Sequence, residues 1–184
     1  GNIIAGNASA IFNQIGIDLL ASTDNHEQGT APFITINDNG DGDAGANSLL
    51  NFPVIESASI NNGTVIIKGF APAGSTIEFF KGALFSGATI AQGKDYLFTA
   101  VEGSSADLDA TTGSYGPGAV NGIMVGTETA ANRFEFSFTA PSFLVQNDLV
   151  TATATTSGSG TSEFGPQYAL TSTNPPVASN IDCM

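Results

Sequence analysis

Residues 133–139 alternate strictly between polar and aromatic side chains, and this alternation constrains the fold more than any other feature of the sequence. Phe134, Phe136 and Phe138 stand at every second position, separated by charged and hydroxyl side chains. In a β-strand, side chains two positions apart point to the same face. One face of this segment is therefore aromatic and the other polar, which predicts a half-buried strand.

Similar short runs recur along the chain and are separated by turn residues. Residues 149–155 alternate Val and Ala with Thr, and residues 64–70 and 75–80 are typical of two further strands. Asn62 and Gly63 lie between β-branched residues and can adopt the positive φ angles of a type I′ hairpin turn. About seven such strands predict an all-β fold, an immunoglobulin-like antiparallel β-sandwich.

Composition divides the chain into three parts. Residues 1–50 hold a predicted β-helix-like or irregular segment and the junction formed by an acidic run. Residues 1–30 mix short apolar pairs with Asn and Gly, as a β-helix coil does, although a single strand followed by a loop fits them equally well. Residues 51–173 hold the predicted sandwich, with a long Gly-rich and Ser-rich insertion near residues 103–126. Residues 174–184 begin with Asn-Pro-Pro and predict a linker to a next domain. We expect the chain to be a piece of a larger exported protein.

The charge balance narrows the classes of partner. The chain has 4 Lys and Arg against 17 Asp and Glu, and its formal net charge is −13. The cations are scattered, so no basic stripe can neutralise phosphates, and we expect neither nucleic acid nor anionic lipid as a partner. No stretch is long and apolar enough for membrane insertion. A strongly acidic chain favours cations instead. The four cations are Lys68, Lys81, Lys94 and Arg133.

The densest acidic segment is the run Asn-Asp-Asn-Gly-Asp-Gly-Asp at residues 37–43. Calcium takes about six to eight oxygen ligands, which Asp side chains and backbone carbonyls of one short loop can supply. Glycines between the carboxylates permit the tight bends that such a loop needs. We predict a Ca²⁺ site at this run. Its ligands are Asp38, Asp41 and Asp43, with Asn39 as a weaker fourth.

The acidic run has two other interpretations, an EF-hand loop and a solvated turn. It resembles the start of an EF-hand loop, but the twelfth position counted from Asp38 is Leu49, which is not acidic, and no helices flank it. A solvated acidic turn remains the alternative to a calcium site. The coordination shell of the predicted site at residues 37–43 would be completed by Asp18, Asp24 or Asn47, among which the sequence does not choose.

Asp107 and Asp109 in the insertion offer a second, weaker cation site.

Catalytic chemistry has little support in the sequence. The only histidine, His26, has no nucleophile elbow near it, and one His with one distant Cys183 does not make a zinc site. Glu78 and Glu163 each precede a Phe, and such carboxylates can pair in glycosidases. More often a Glu in this setting faces solvent or anchors a turn. We therefore predict no catalytic residue.

The order of the segments resembles that of a module of bacterial secreted and surface proteins. In that module, the terminal coil of a right-handed parallel β-helix precedes an immunoglobulin-like β-sandwich. The resemblance covers most of the chain, and the insertion at 103–126 resembles those of gliding and surface proteins of the Bacteroidetes type. The segments that carry it are residues 10–13, 16–19, 37–43, 45–47, 50–54, 77–80, 150–155 and 161–164.

The resemblance implies an adhesin-like part of a large protein at the bacterial cell surface or outside the cell. Its partners would be neighbouring domains of the same chain, surface glycans, or host or cell-surface proteins. The function we expect is therefore a non-catalytic, calcium-stabilised structural and adhesive module. The alternative is a carbohydrate-binding accessory module of a polysaccharide-active enzyme, for which Tyr96 or Tyr115 would provide the stacking surface. A remnant of a β-helix lyase is a third hypothesis.

Overall fold

A computed structural model describes residues 15–25, 27, 30, 33–85 and 88–172. A short 3-10 turn, Ala46–Leu49, precedes the strands. The strands of the described part are β1 (Val54–Asn61), β2 (Thr64–Ala71), β3 (Thr76–Ala83), β4 (Gln92–Val101), β5 (Thr112–Tyr115), β6 (Ala119–Val120), β7 (Ile123–Met124), β8 (Glu128–Thr139), β9 (Leu149–Thr156), β10 (Gly160–Thr161), β11 (Tyr168–Ala169) and β12 (Thr171–Ser172).

Two sheets form a β-sandwich, which confirms the predicted fold class. The first sheet has the order β12-β1-β2-β8-β5, and the second has the order β10-β9-β3-β4, with β11 also paired to β9. All of these pairs are antiparallel except β1 with β12. The neighbour order β1-β2-β8-β5 opposite β3-β9-β11 matches the ABED and CFG sheets of immunoglobulin-like domains.

The aromatic face of β8 lies in the core between the sheets, as its alternation predicts. Phe134 and Phe136 are buried and Phe138 is half-buried. From the opposite sheet, Phe79 of β3 meets Phe134 and Phe136 edge-on, with ring centroids 5.7 and 6.2 Å apart, and stacks on Phe98 of β4 at 4.6 Å. These aromatic contacts are the centre of the larger of two core clusters.

The predicted hairpin between β1 and β2 is confirmed. Asn62 and Gly63 have φ values of 48° and 77°, the left-handed angles of a type I′ turn. Asn61 pairs directly with Thr64 across the turn. Because the loop length sets the register, this turn also fixes which residues of β1 and β2 face the core.

Strand β9 departs from the prediction of a half-buried strand, because both of its faces are covered. Thr151 and Thr153 are as buried as the Val and Ala residues between them. Residues 162–165 run beside β9, where the N–H groups of Ser162 and Gly165 donate to the carbonyl oxygens of Ala154 and Ala152 at 2.8 and 2.9 Å. Thr151 Oγ1 also donates to the carbonyl oxygen of Gly165 at 2.6 Å, and Phe164 packs edge-on against Phe80, with centroids 5.5 Å apart. The alternation predicts a polar, solvated Thr face, whereas the structure buries it.

The insertion near residues 103–126 contains three short strands. Strand β5 pairs with β8 at the edge of the first sheet, and β6 and β7 form a small hairpin. The turn before β5 is built around Asp107, whose Oδ1 accepts the backbone N–H groups of Glu135 and Asp109 at 2.8 and 3.1 Å. Asp107 therefore ties the insertion to β8, and a second cation site there stays untested.

The β-helix-like coil rests mainly on residues 1–14, which lie outside the described residues, as do His26 and the linker at 174–184 with Cys183. Within the described part of residues 15–50, Ala21 forms an isolated bridge with Gly45, and a second bridge joins Asn37 to Gly126 outside this segment. Where the chain is described, no helix is long and apolar enough to cross a membrane.

Candidate functional site

Asn37 anchors the acidic loop to the sandwich. Its side chain is 4% exposed. Its Nδ2 donates to the Phe52 carbonyl oxygen and to the Tyr115 hydroxyl oxygen, both at 2.9 Å, while its Oδ1 accepts the Phe52 N–H at 2.9 Å. Gly126, with φ of 84°, lies so close that a Cβ there would collide with the Asn37 carbonyl oxygen. The loop therefore starts from a buried, fully bonded position.

Asn51 closes the loop from the side of β1. Its backbone N–H donates to Oδ1 of Asp41 at 2.7 Å. Its side chain bonds the backbone of Asp38 twice, accepting the N–H at 3.0 Å and donating to the carbonyl oxygen at 2.8 Å. The Asp38 carboxylate in turn accepts the Gly42 N–H at 3.1 Å. These bonds fold the acidic run back on itself, as Asx turns do.

A third set of bonds joins the loop to the start of β8. Glu128 Oε2 accepts the Gly40 N–H at 2.8 Å. Asn39 Oδ1 accepts both the N–H and the hydroxyl of Thr129, at 3.0 and 2.7 Å. Glu128 therefore belongs to the acidic site, although it lies far from the loop in the sequence. No local pattern could have identified it, since only the sheet topology brings β8 to this edge.

The carboxylates of the site act on one another. The pKa of Asp41 is raised above its usual value, first by burial and then by the negative charges of Asp38, Asp43 and Glu128. The N–H of Asn51 opposes this effect only in part. A raised pKa with these causes marks a place where negative charge gathers without compensation.

The buried phenol below the loop feels the same charges. Burial, together with the charges of Glu128, Asp41 and Asp38, raises the pKa of Tyr115 to about 12. For Glu128 itself, burial is outweighed by N–H groups of Gly40 and two β8 residues, which hold its pKa below the usual value. Glu128 is thus ionised at neutral pH and contributes a full charge to the site.

The fit of the site to a divalent cation is incomplete. Among the described residues, no three acidic, His or Cys side chains are grouped so as to hold a metal ion. The Asn39 oxygen already accepts two bonds from Thr129, and Asp43 is exposed. The carboxylates present are the oxygen donors that calcium prefers. Ligation would require Asp43 and the loop around it to turn inward.

The three residues that were open choices for completing the shell do not join the loop. Burial and the negative charge of Asp24 raise the pKa of Asp18, both carboxylates act in turn on Glu163, and neither is among the charges that shift the pKa of Asp41. Asn47 Nδ2 donates to the carbonyl oxygen of Thr161 at 2.8 Å. The acidic residue outside the loop that acts on Asp41 is Glu128.

A cleft of about 350 Å³ lies between the loop and the first sheet. Its walls combine small apolar residues with polar ones such as Asn132, Thr156 and Ser159, and Asp41 and Glu128 also line it. Tyr115 is only 8% exposed, so it does not offer the ring face that sugar stacking requires. Tyr96 is half-buried and its ring packs edge-on against Phe80 at 6.0 Å. Tyr115 is therefore not the stacking surface that a carbohydrate-binding module would need.

The paired carboxylates considered for catalysis are not equivalent. Glu163 is 1% exposed, and both of its oxygens accept backbone N–H groups, whereas Glu78 lies on β3 between Thr99 and Thr153 of the neighbouring strands. A substrate would not reach Glu163 without displacing the N-terminal segment.

Comparison with known protein families found no family that matches the chain, and a search of curated proteins found no matching relative.

Proposed function

We propose that this chain is a non-catalytic structural and adhesive module of a large bacterial surface protein outside the cell. Calcium, bound at the acidic loop, would stiffen the junction between the N-terminal segment and the sandwich. The observation that carries the proposal is the position of residues 37–43, which bond both to Asn51 and Phe52, shortly before β1, and to the start of β8.

Charge supports the choice of a cation. Four carboxylates, from Asp38, Asp41, Asp43 and Glu128, act on this one edge of the fold. The ion pairs of the described residues lie elsewhere, between Lys68 and Glu135, Lys81 and Asp148, and Arg133 and Glu56. The loop therefore has no protein cation of its own within the described part of the chain. A divalent ion would relieve the repulsion and add bonds between the loop and β8.

The residues that would hold the ion follow from this arrangement. Asp38, Asp41 and Asp43 come from the loop, and Glu128 comes from β8, with Asn39 as the weaker donor. A ligand from β8 matters most, because it would make the ion bridge two parts of the fold that are distant in sequence. A rigid junction of this kind suits an extended protein that holds its shape outside the cell and presents neighbouring domains to glycans or surface proteins.

Calcium should raise the melting temperature of the protein, and the gain should depend on Asp41. Ligand bound only to the folded state stabilises it by about 2.7 kcal/mol at a hundredfold excess over the dissociation constant. Asp41→Asn keeps the oxygen that accepts the Asn51 N–H but removes the charge. We expect calorimetric melting in CaCl₂ and in EGTA to differ for the natural sequence and to differ much less for this variant.

Asp95→Asn is the matched control, since Asp95 lies on β4 opposite Lys81 and is not among the charges that act on Asp41. It should retain the whole calcium response. Coincident melting curves in CaCl₂ and EGTA for the natural sequence would contradict the proposal. So would an Asp41→Asn variant that responds to calcium as strongly as the control.

A further inference from the structure

Glu163 lies beneath the N-terminal segment and bonds two separate passes of it. The residue is 1% exposed. Its Oε1 accepts the Leu19 N–H at 2.7 Å, and its Oε2 accepts the Thr35 N–H at 2.6 Å. The two passes are also joined to each other, since Thr35 Oγ1 donates to the Leu19 carbonyl oxygen at 3.2 Å. One carboxyl group of the sandwich therefore holds both passes in place.

Among the described residues, the charged groups that act on Glu163 are acidic. From the first pass of the segment, Asp18 and Asp24 act on it with negative charge. The second pass, residues 33–37, has no titratable side chain, and neither has β9 on the other side. In the described part of the chain, the three ion pairs involve other residues, so no cation compensates Glu163.

We propose that Glu163 is a pH-dependent latch, which holds the two passes, residues 15–25 and 33–37, on the sandwich more tightly when its carboxyl group carries a proton than when it is ionised. The latch lies at the same junction as the acidic loop. It does not require calcium, so it can fail or succeed independently of the proposed function. Acidification would close the junction, and neutral to alkaline pH would loosen it.

The direction follows from the buried position of the group. Burial, with smaller contributions from Asp18 and Asp24, raises the pKa of Glu163 to about 7, against the opposing effect of the Leu19 and Thr35 N–H groups. When the segment is released, the carboxyl group meets water and its pKa returns towards 4.5. The docked state then holds more protons than the released state between these two values. Docking is therefore strongest below the lower value and weakens as pH rises through the upper one.

The size of the effect follows from the same window. Each pH unit between 4.5 and 7 changes the docking equilibrium by up to about tenfold, which gives an upper limit of about 300-fold over the window. Amide hydrogen exchange measures this opening directly. We expect the protection factors of the Leu19 and Thr35 amides, corrected for the intrinsic pH dependence of exchange, to fall at least about tenfold between pH 5.5 and 7.5. Amides of β3 should keep their protection.

Glu163→Gln tests the assignment, because the amide stays neutral at every pH and should abolish this dependence. Glu102→Gln is the matched control. Glu102 is also buried, at 4% exposure, and accepts the Gly74 N–H at 2.6 Å and the Asn132 side chain at 3.0 Å. This control should leave the pH dependence of Leu19 and Thr35 unchanged.

Asp18→Asn keeps the test decisive if Glu163→Gln fails to fold. Removal of a neighbouring negative charge should favour ionisation of Glu163 and move the midpoint of the transition to lower pH. The proposal is overturned if the protection of Leu19 and Thr35 is flat over the range, if it persists in Glu163→Gln, or if Asp18→Asn leaves the midpoint in place.

Discussion

Phe79→Ala should lower the free energy of unfolding by about 3–5 kcal/mol, the usual cost of removing a large aromatic side chain from a close-packed core. Phe79 is fully buried and touches Phe98, Phe134 and Phe136. Phe134 and Phe136 belong to the opposite sheet, so the truncation opens a cavity at the contact between the two layers. The surrounding rings cannot close it without moving both sheets.

Urea unfolding followed by fluorescence or circular dichroism measures this loss. Phe143→Ala is the matched control, because Phe143 is 47% exposed in the turn before β9. The control should change stability by less than about 0.5 kcal/mol, as most surface substitutions do. A loss at Phe79 below about 1 kcal/mol would mean that the two layers are not packed through these rings.

The features that sequence reasoning identified correctly are those with local causes. The alternation around Phe134, Phe136 and Phe138 requires one buried face, and the left-handed turn at Asn62 and Gly63 requires those residue types. Neither depends on knowledge of what packs against the segment. For the same reason the approximate positions of the long strands, and hence the sandwich, follow from patterns within about ten residues. The described part has twelve strands instead of about seven, because two-residue strands leave no such pattern.

The features that sequence reasoning missed have causes that are distant in the chain. Thr151 and Thr153 look solvent-facing, but both are buried, and Thr151 donates to Gly165 of a later segment. Glu128 joins the acidic loop only because β8 begins at the same edge of the sheet. In each case, polar side chains look the same in the sequence whether they face water or a later segment. The acidic loop itself was visible, whereas its docking was not.

The role of Asn37 could not be predicted from the sequence either, because its partners lie elsewhere in the chain. Its replacement should have the second largest effect on the free energy of unfolding. Asn37→Ala removes three hydrogen bonds and leaves the Phe52 N–H and carbonyl groups without their partner in a buried place. A buried polar group left without a partner costs about 1–3 kcal/mol. We expect a total loss of about 2–4 kcal/mol in urea unfolding, because local opening lets water reach some of these groups.

Asn39→Ala is the control for Asn37→Ala, because it removes a side chain of the loop and leaves the buried anchor in place. Asn39 is exposed, so water can replace it as the acceptor for Thr129, and we expect a loss below about 1 kcal/mol. If Asn37 positions the loop, Asn37→Ala should also lower the calcium affinity measured by titration calorimetry, since the carboxylates of Asp38 and Asp41 would no longer face Glu128. An Asn37→Ala protein that is folded, as stable as the natural sequence and equally responsive to calcium would show that the loop is held by other contacts. The junction would then be stiffened by Asn51 and β8 alone, and the buried amide would be a feature of the core.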